Sequence, residues 1–120
     1  MKKTMMILAV VLASVSMYGQ NITGKWHGKF DLNGKDLNVV FNIYHTRSGF
    51  KATMDSPDQQ AFGIQVKCIT FSDSIIKLEI PKAGIEYLGT LNDKFNLVGV
   101  IKQSGQIFPL ILTADKTANL

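Results

Sequence analysis

The stretch GKWHGKFDLNGKDLNVVFNIY, Gly24 to Tyr44, decides the fold. Its second half shows the clearest alternation in the chain: Leu37, Val39, Phe41 and Ile43 fall on one side, Asn38 and Asn42 on the other. A period of two is the mark of a half-buried strand. The first half does the same from Gly24 to Asp31, with Trp26 and Phe30 opposite Lys25, His27 and Lys29. Between the halves stands Asn33-Gly34, two residues that tolerate positive φ and so favour a tight hairpin turn.

Outward from this hairpin the pattern repeats. Arg47-Ser48-Gly49 leads into a third strand, Phe50 to Asp55. Further strands are expected at Ile64–Phe71, Ile75–Ile80, Gly84–Leu91, Lys94–Lys102 and Gln106–Thr113. Their joints are Ser72-Asp73-Ser74, Pro81 to Gly84, Asn92-Asp93 and Gln103-Ser104-Gly105, all turn-forming. No helix-period stripe occurs after the leader. The expected fold is therefore all-β: a small eight-stranded up-and-down barrel, closed or nearly closed, because closure removes the exposed edges of a long meander. Two packed sheets are the alternative. Glycines inside strands, Gly28, Gly89 and Gly99, suit strong coiling. The expected inward set is Trp26, Phe30, Leu37, Phe41, Phe50, Met54, Leu78, Leu88, Phe108 and Leu110, bulky enough to fill so short a barrel.

The N-terminus reads as an export signal. Lys2 and Lys3 precede the apolar run Met5–Ala13, which is too short to span a bilayer. Cleavage is expected between residues 16 and 20, leaving a barrel domain at 22–115 and a tail at 116–120. No cysteine lies near the cleavage region to carry a lipid anchor. A periplasmic or secreted protein without a stable membrane anchor follows. The lone Cys68 has no internal disulfide partner, and its apolar run predicts a buried thiol. The formal charge of +4 includes Lys2 and Lys3; without them 11 basic residues face 9 acidic ones, scattered singly. That distribution does not support nucleic-acid binding or a polybasic membrane patch.

Catalytic chemistry finds little to stand on. Ser56 is followed by Pro57 and sits in no nucleophile elbow, so a triad with His27 or His45 and Asp55 or Asp58 is weakly motivated. His27 and His45 lack metal-ligand spacing, and no calcium-loop pattern surrounds Asp55 and Asp58. Glu79 and Glu86 read as outward cross-strand partners for lysines. The expectation is no catalytic residue, no metal and no cofactor. Two features point to binding instead. DSPDQ, Asp55 to Gln59, is the densest polar, turn-forming cluster in the chain. It either shapes a binding mouth or bonds its own backbone as Asx and Ser turns do. The last two strands are apolar on both faces, with Val98, Val100, Ile107 and Ile111 falling on what should be the wet side. Either a partner covers that face or barrel curvature shields it. Pro109 cannot donate to a ladder, which implies an edge position or a bulge.

The segments ITGKWHGKF and LNVVFNIYHTRSGFKATMDSPDQQAFGI resemble a family of lipocalin-like domains from secreted proteins of Gram-negative bacteria, often found directly ahead of an α/β-hydrolase domain. The likeness continues through IIKLEIPKAGIEYLGTLND and LVGVIKQSGQIFPLIL, covering Ile22 to Thr113. Its most specific pieces are Gly24-x-Trp26-x-Gly28, DSPDQ, and Gln103, Gly105 and Pro109-Leu110. Gln60 departs from the pattern, where a small residue, typically glycine, is usual. The resemblance implies a small barrel without catalytic residues, acting as an accessory module that docks on an exported hydrolase, another exported protein or itself. A carrier of a small apolar ligand is the alternative, and a hydrolase in its own right a lesser one. Under either binding role Trp26, Asp55, Ser56, Asp58 and Gln59 are the candidate contacts.

Overall fold

The computed structural model describes residues 21–115, so the expected export signal and the expected tail at 116–120 lie outside the described residues. Nine strands follow one another: β1 (Gly24–Leu32), β2 (Lys35–Thr46), β3 (Gly49–Ser56), β4 (Ala61–Gln65), β5 (Cys68–Ser72), β6 (Ile75–Ile80), β7 (Ile85–Leu91), β8 (Asn96–Gln103) and β9 (Gln106–Ala114). They form one antiparallel sheet in the order β4-β3-β2-β1-β9-β8-β7-β6-β5. Two single 3-10 turns, Pro57–Gln59 and Pro81–Ala83, are the only helical residues among those described. The Asn33-Gly34, Asp73-Ser74 and Ser104-Gly105 turns each place two successive residues at positive φ. That twist matches the right-handed twist of the strands they join.

The sheet curls around its buried face. Phe41 of β2 and Tyr87 of β7 are separated by three intervening strands, yet their ring centroids lie 6.0 Å apart. Trp26 packs on Phe95 and Phe30 on Phe108, both at 5.2 Å. Trp26, Phe30, Phe41 and Tyr87 make one continuous core with Ile22, Ile76, Leu78, Leu97, Ile101, Leu110 and Leu112, and the partly buried Phe108 packs against it. Close approach between strands makes the curl possible. A methyl group added at Gly28 would run into the Ile111 carbonyl, and one at Gly99 into the Leu88 carbonyl. The Tyr87 ring lies over Gly89, covering the backbone that glycine leaves bare.

The architecture is barrel-like but open, with nine strands where eight were expected. The segment expected as one strand, Ile64–Phe71, divides at Val66-Lys67. The Val66 N–H bonds the Ala52 carbonyl of β3 at 3.0 Å, and the next N–H, of Lys67, bonds the Glu79 carbonyl of β6 at 2.9 Å. One continuous run of chain thus serves β3 with its first half and β6 with its second. Neither half pairs along both sides, so the ladder does not close.

Three side-chain expectations are corrected. Cys68 is exposed, because Ile69 and Phe71 take the inner positions of β5 and leave it with Thr70 and Ser72 outside. Leu88 also faces outward, at 43% exposure, and Tyr87 is the inward residue of β7. Tyrosine suits that place because its single hydroxyl proton is offered to the carbonyl of Leu110 (3.0 Å), with that of Leu97 (3.3 Å) also within reach. Pro109 lies on an interior strand, in register with Val100 and without a bulge. It is tolerated because β9 pairs with β1 only at Ala114 and Thr113, leaving its other side free of a ladder at Pro109.

Candidate functional site

The outer face of β7–β9 carries the least usual feature of the surface. Alternation is strict: Leu97 and Ile101, Leu110 and Leu112 turn into the core, which sends Val98, Val100, Ile107, Pro109 and Ile111 outward. Exposure reaches 45% at Val98, 38% at Val100, 60% at Ile107 and 54% at Ile111. Register joins them. Val98 is opposite Ile111, and Val100 lies between Leu88 and Pro109. These apolar rows are neighbours in space, not scattered residues. At one end they give way to Glu86 opposite Lys102, and Lys77 reaches Glu86 at 3.9 Å and Glu79 at 3.7 Å. Exposed pairs of this kind add little stability.

DSPDQ serves mainly its own fold. The β2–β3 ladder runs as far as Val40 opposite Asp55, and two residues further the chain turns away at Pro57. The N–H of Asn38 would then face no strand. Asp58 replaces the missing partner: its Oδ2 accepts from the Asn38 backbone N–H at 2.6 Å and from the Asn38 amide at 3.1 Å. Asp55 accepts from the Gly63 N–H at 2.8 Å through Oδ1 and from the Asn42 amide at 3.2 Å through Oδ2. Ser56, only 4% exposed, donates its hydroxyl proton to Gln59 Oε1 at 2.8 Å. A serine poised for attack would give that proton to a base. His45 stacks edge-on against Phe50 at 5.1 Å, and His27 lies in mid-β1 opposite Val40 and Thr113.

Trp26 is fully buried, with its indole N–H donated to the Ile22 carbonyl at 2.9 Å. It anchors the first described residues to the core and presents nothing at the surface. Among the described residues no group of three or more His, Cys, Asp or Glu could hold a metal ion, and every buried side-chain polar atom has a partner. No helix there is long and apolar enough to cross a membrane.

One depression links the two regions that stood out in the sequence. About 540 Å³ in volume, it is lined by His27, Lys29, Asn38 and Val40, with Pro57 on one side and Ile111 and Thr113 on the other. The proline of DSPDQ therefore borders the same outer surface as the apolar rows of β9. Sequence reasoning missed this junction, since Pro57 and Ile111 are far apart in the chain and meet only across β1 and β2. Comparisons with protein families, with curated proteins and with solved structures found no match to this chain.

Proposed function

We propose that this protein is a non-catalytic, exported, lipocalin-like interaction module that docks on an α/β-hydrolase through the outer face of β7–β9. The observation that carries the reading is the in-register exposure of Val98, Val100, Ile107 and Ile111 on one sheet face. Apolar patches of roughly 300–600 Å² are often interaction sites. Burying a few hundred Å² at about 25 cal/mol per Å² gives on the order of 10 kcal/mol gross. Association costs a comparable amount, ~4–15 kcal/mol. The apolar rows alone therefore support modest affinity, and the polar rim at Glu86, Lys102 and the His27–Pro57 depression supplies orientation. Resemblance to domains that precede hydrolases makes a hydrolase the partner of choice. The packed concave side, where Phe41 meets Tyr87 and Phe30 meets Phe108, favours a surface over an internal ligand chamber.

Native mass spectrometry of the mature chain from its exported fraction tests this, run beside a Val98→Lys/Ile111→Lys variant. A complex with a hydrolase that the variant loses, at unchanged Tm, is the expected result. A homodimer would replace the hydrolase by a second copy. A chain that is monomeric throughout, or a complex indifferent to both lysines, would overturn docking through this face.

A further inference from the structure

The seam left by incomplete closure is itself a cleft, about 940 Å³ in volume, at the high end of the range of small-molecule sites. Its floor belongs to the inner face: Ala52 of β3, Val66 between β4 and β5, and Ile80 at the end of β6, all buried, with Ile64 beside them. Its rim carries Lys51, Lys67 and Lys82 from three separate segments, and no carboxylate lines it. Among the described residues none of the three lysines forms an ion pair, although Lys29 and Lys77 do. The cause is topological. A single run of chain passes from β3 to β6 at Val66-Lys67, and buried apolar residues of the inner face line the cleft where it crosses.

From this geometry we infer that the seam cleft binds an anionic amphiphile, a long-chain carboxylate, with its head group among Lys51, Lys67 and Lys82 and its chain along Ile64, Val66 and Ile80. An apolar floor beneath an unneutralised basic rim matches an elongated apolar body with one negative end. A neutral hydrocarbon would leave the lysines unused, and a small free anion would leave the floor wet. The site is separate from the outer face of β7–β9, and its occupancy does not depend on a docked partner.

The test is titration calorimetry of the mature chain with alkyl carboxylates of increasing length, kept below micelle formation. The matched alcohols and inorganic phosphate serve as controls. Affinity for the carboxylate should rise about two- to fourfold per added methylene until the floor is covered. Substituting Lys51→Gln, Lys67→Gln or Lys82→Gln should weaken carboxylate binding roughly two- to fivefold each while leaving the alcohol unaffected. These side chains are exposed, so an unchanged Tm in each variant checks the fold. Ile64→Asp should abolish binding of the longer chains. Equal affinity for alcohol and carboxylate would overturn the inference. So would phosphate binding as tightly as the longest carboxylate, indifference to all three lysine substitutions, or no binding at all.

Discussion

The turn from Ser56 to Ala61 and the turn from Ile80 to Ile85 trace one backbone path with different side chains. Each leaves a strand at φ,ψ near −124°, 83° or −125°, 82°, makes a 3-10 turn opened by proline, and ends in the left-handed region at Gln60 or Gly84. In each, the last N–H bonds the proline carbonyl at 3.0 Å. The first is dense in polar groups, Asp55, Ser56, Asp58 and Gln59; the second reads Pro-Lys-Ala-Gly. The path therefore needs only a proline to preset φ and a residue that tolerates the left-handed region three places on. The polar groups of DSPDQ do a further job. They terminate a ladder whose next N–H, at Asn38, would otherwise be unpaired. The second turn has no such duty, and Tyr87, two residues past its end, anchors its strand in the core instead.

The largest effect should come from that core anchor. Replacing Tyr87 by Ala removes a fully buried ring from beside Phe41 and from above Gly89, at a cost of about 3–5 kcal/mol by chemical denaturation. Tyr87→Phe keeps the ring and loses the hydroxyl proton shared between two buried carbonyls, costing about 1–3 kcal/mol. The two variants separate packing from polar anchoring. Burial raises the phenol well above its ordinary value of about 10. Above pH 10 the unfolded chain releases this proton and the folded chain keeps it, so the contribution is complete below pH 10 and declines as pH rises. The decline is at most ~1.4 kcal/mol per pH unit from this group. The advantage of wild type over Tyr87→Phe should therefore shrink from pH 10 upward. A constant difference would place the hydroxyl in contact with solvent.

Next in size is the polar clamp. Asp58→Ala removes a charge-assisted bond to a solvent-exposed backbone N–H, which water can partly replace, and should destabilise by about 0.5–1.5 kcal/mol. The equivalent position in the other turn is Lys82, which bonds nothing within the fold; Lys82→Ala should stay within ~0.5 kcal/mol. Equal losses at the two positions would break the distinction between a turn that ends a ladder and one that merely reverses the chain. Hydrogen exchange at the Asn38 amide gives the local readout, with protection falling in Asp58→Ala alone.

How much of this was legible follows from which interactions are local. The Asn33-Gly34 hairpin, the alternation of β2 and the bounds of β6 depend on neighbours in sequence, and they read directly. The outward placement of Val98, Val100, Ile107 and Ile111 was also readable, since alternation sends one parity out whatever its chemistry. Leu88 misled because Tyr87 and Leu88 are both apolar enough for the core. Glu86, on the same parity as Leu88, was the signal that this face is wet. Cys68 could have been placed by the inward parity of Ile69 and Phe71. The break at Val66-Lys67 carries no local mark, neither Gly nor Pro. It is set by competition between Ala52 and Glu79, acceptors on strands at opposite ends of the sheet order, so the cleft it opens was invisible too. DSPDQ stood out by composition, while its plainer twin at Pro81 shared the geometry unnoticed.

The smallest effects test the shared backbone itself. Gly84 sits at φ 66°, and a side chain added there meets only ordinary contacts with Ser104. Gly84→Gln should therefore cost only the left-handed penalty, about 1 kcal/mol. Gln60 already bears that penalty at φ 54°. The reverse change, Gln60→Gly, relieves it, but it also gives the unfolded chain more freedom to lose on folding. The conformational relief is the larger of the two, so Gln60→Gly should stabilise by roughly 0.5 kcal/mol. Opposite signs at two positions with the same backbone would show that one conformational rule governs both turns. Destabilisation by Gln60→Gly would mean instead that the Gln60 side chain holds the polar turn in place.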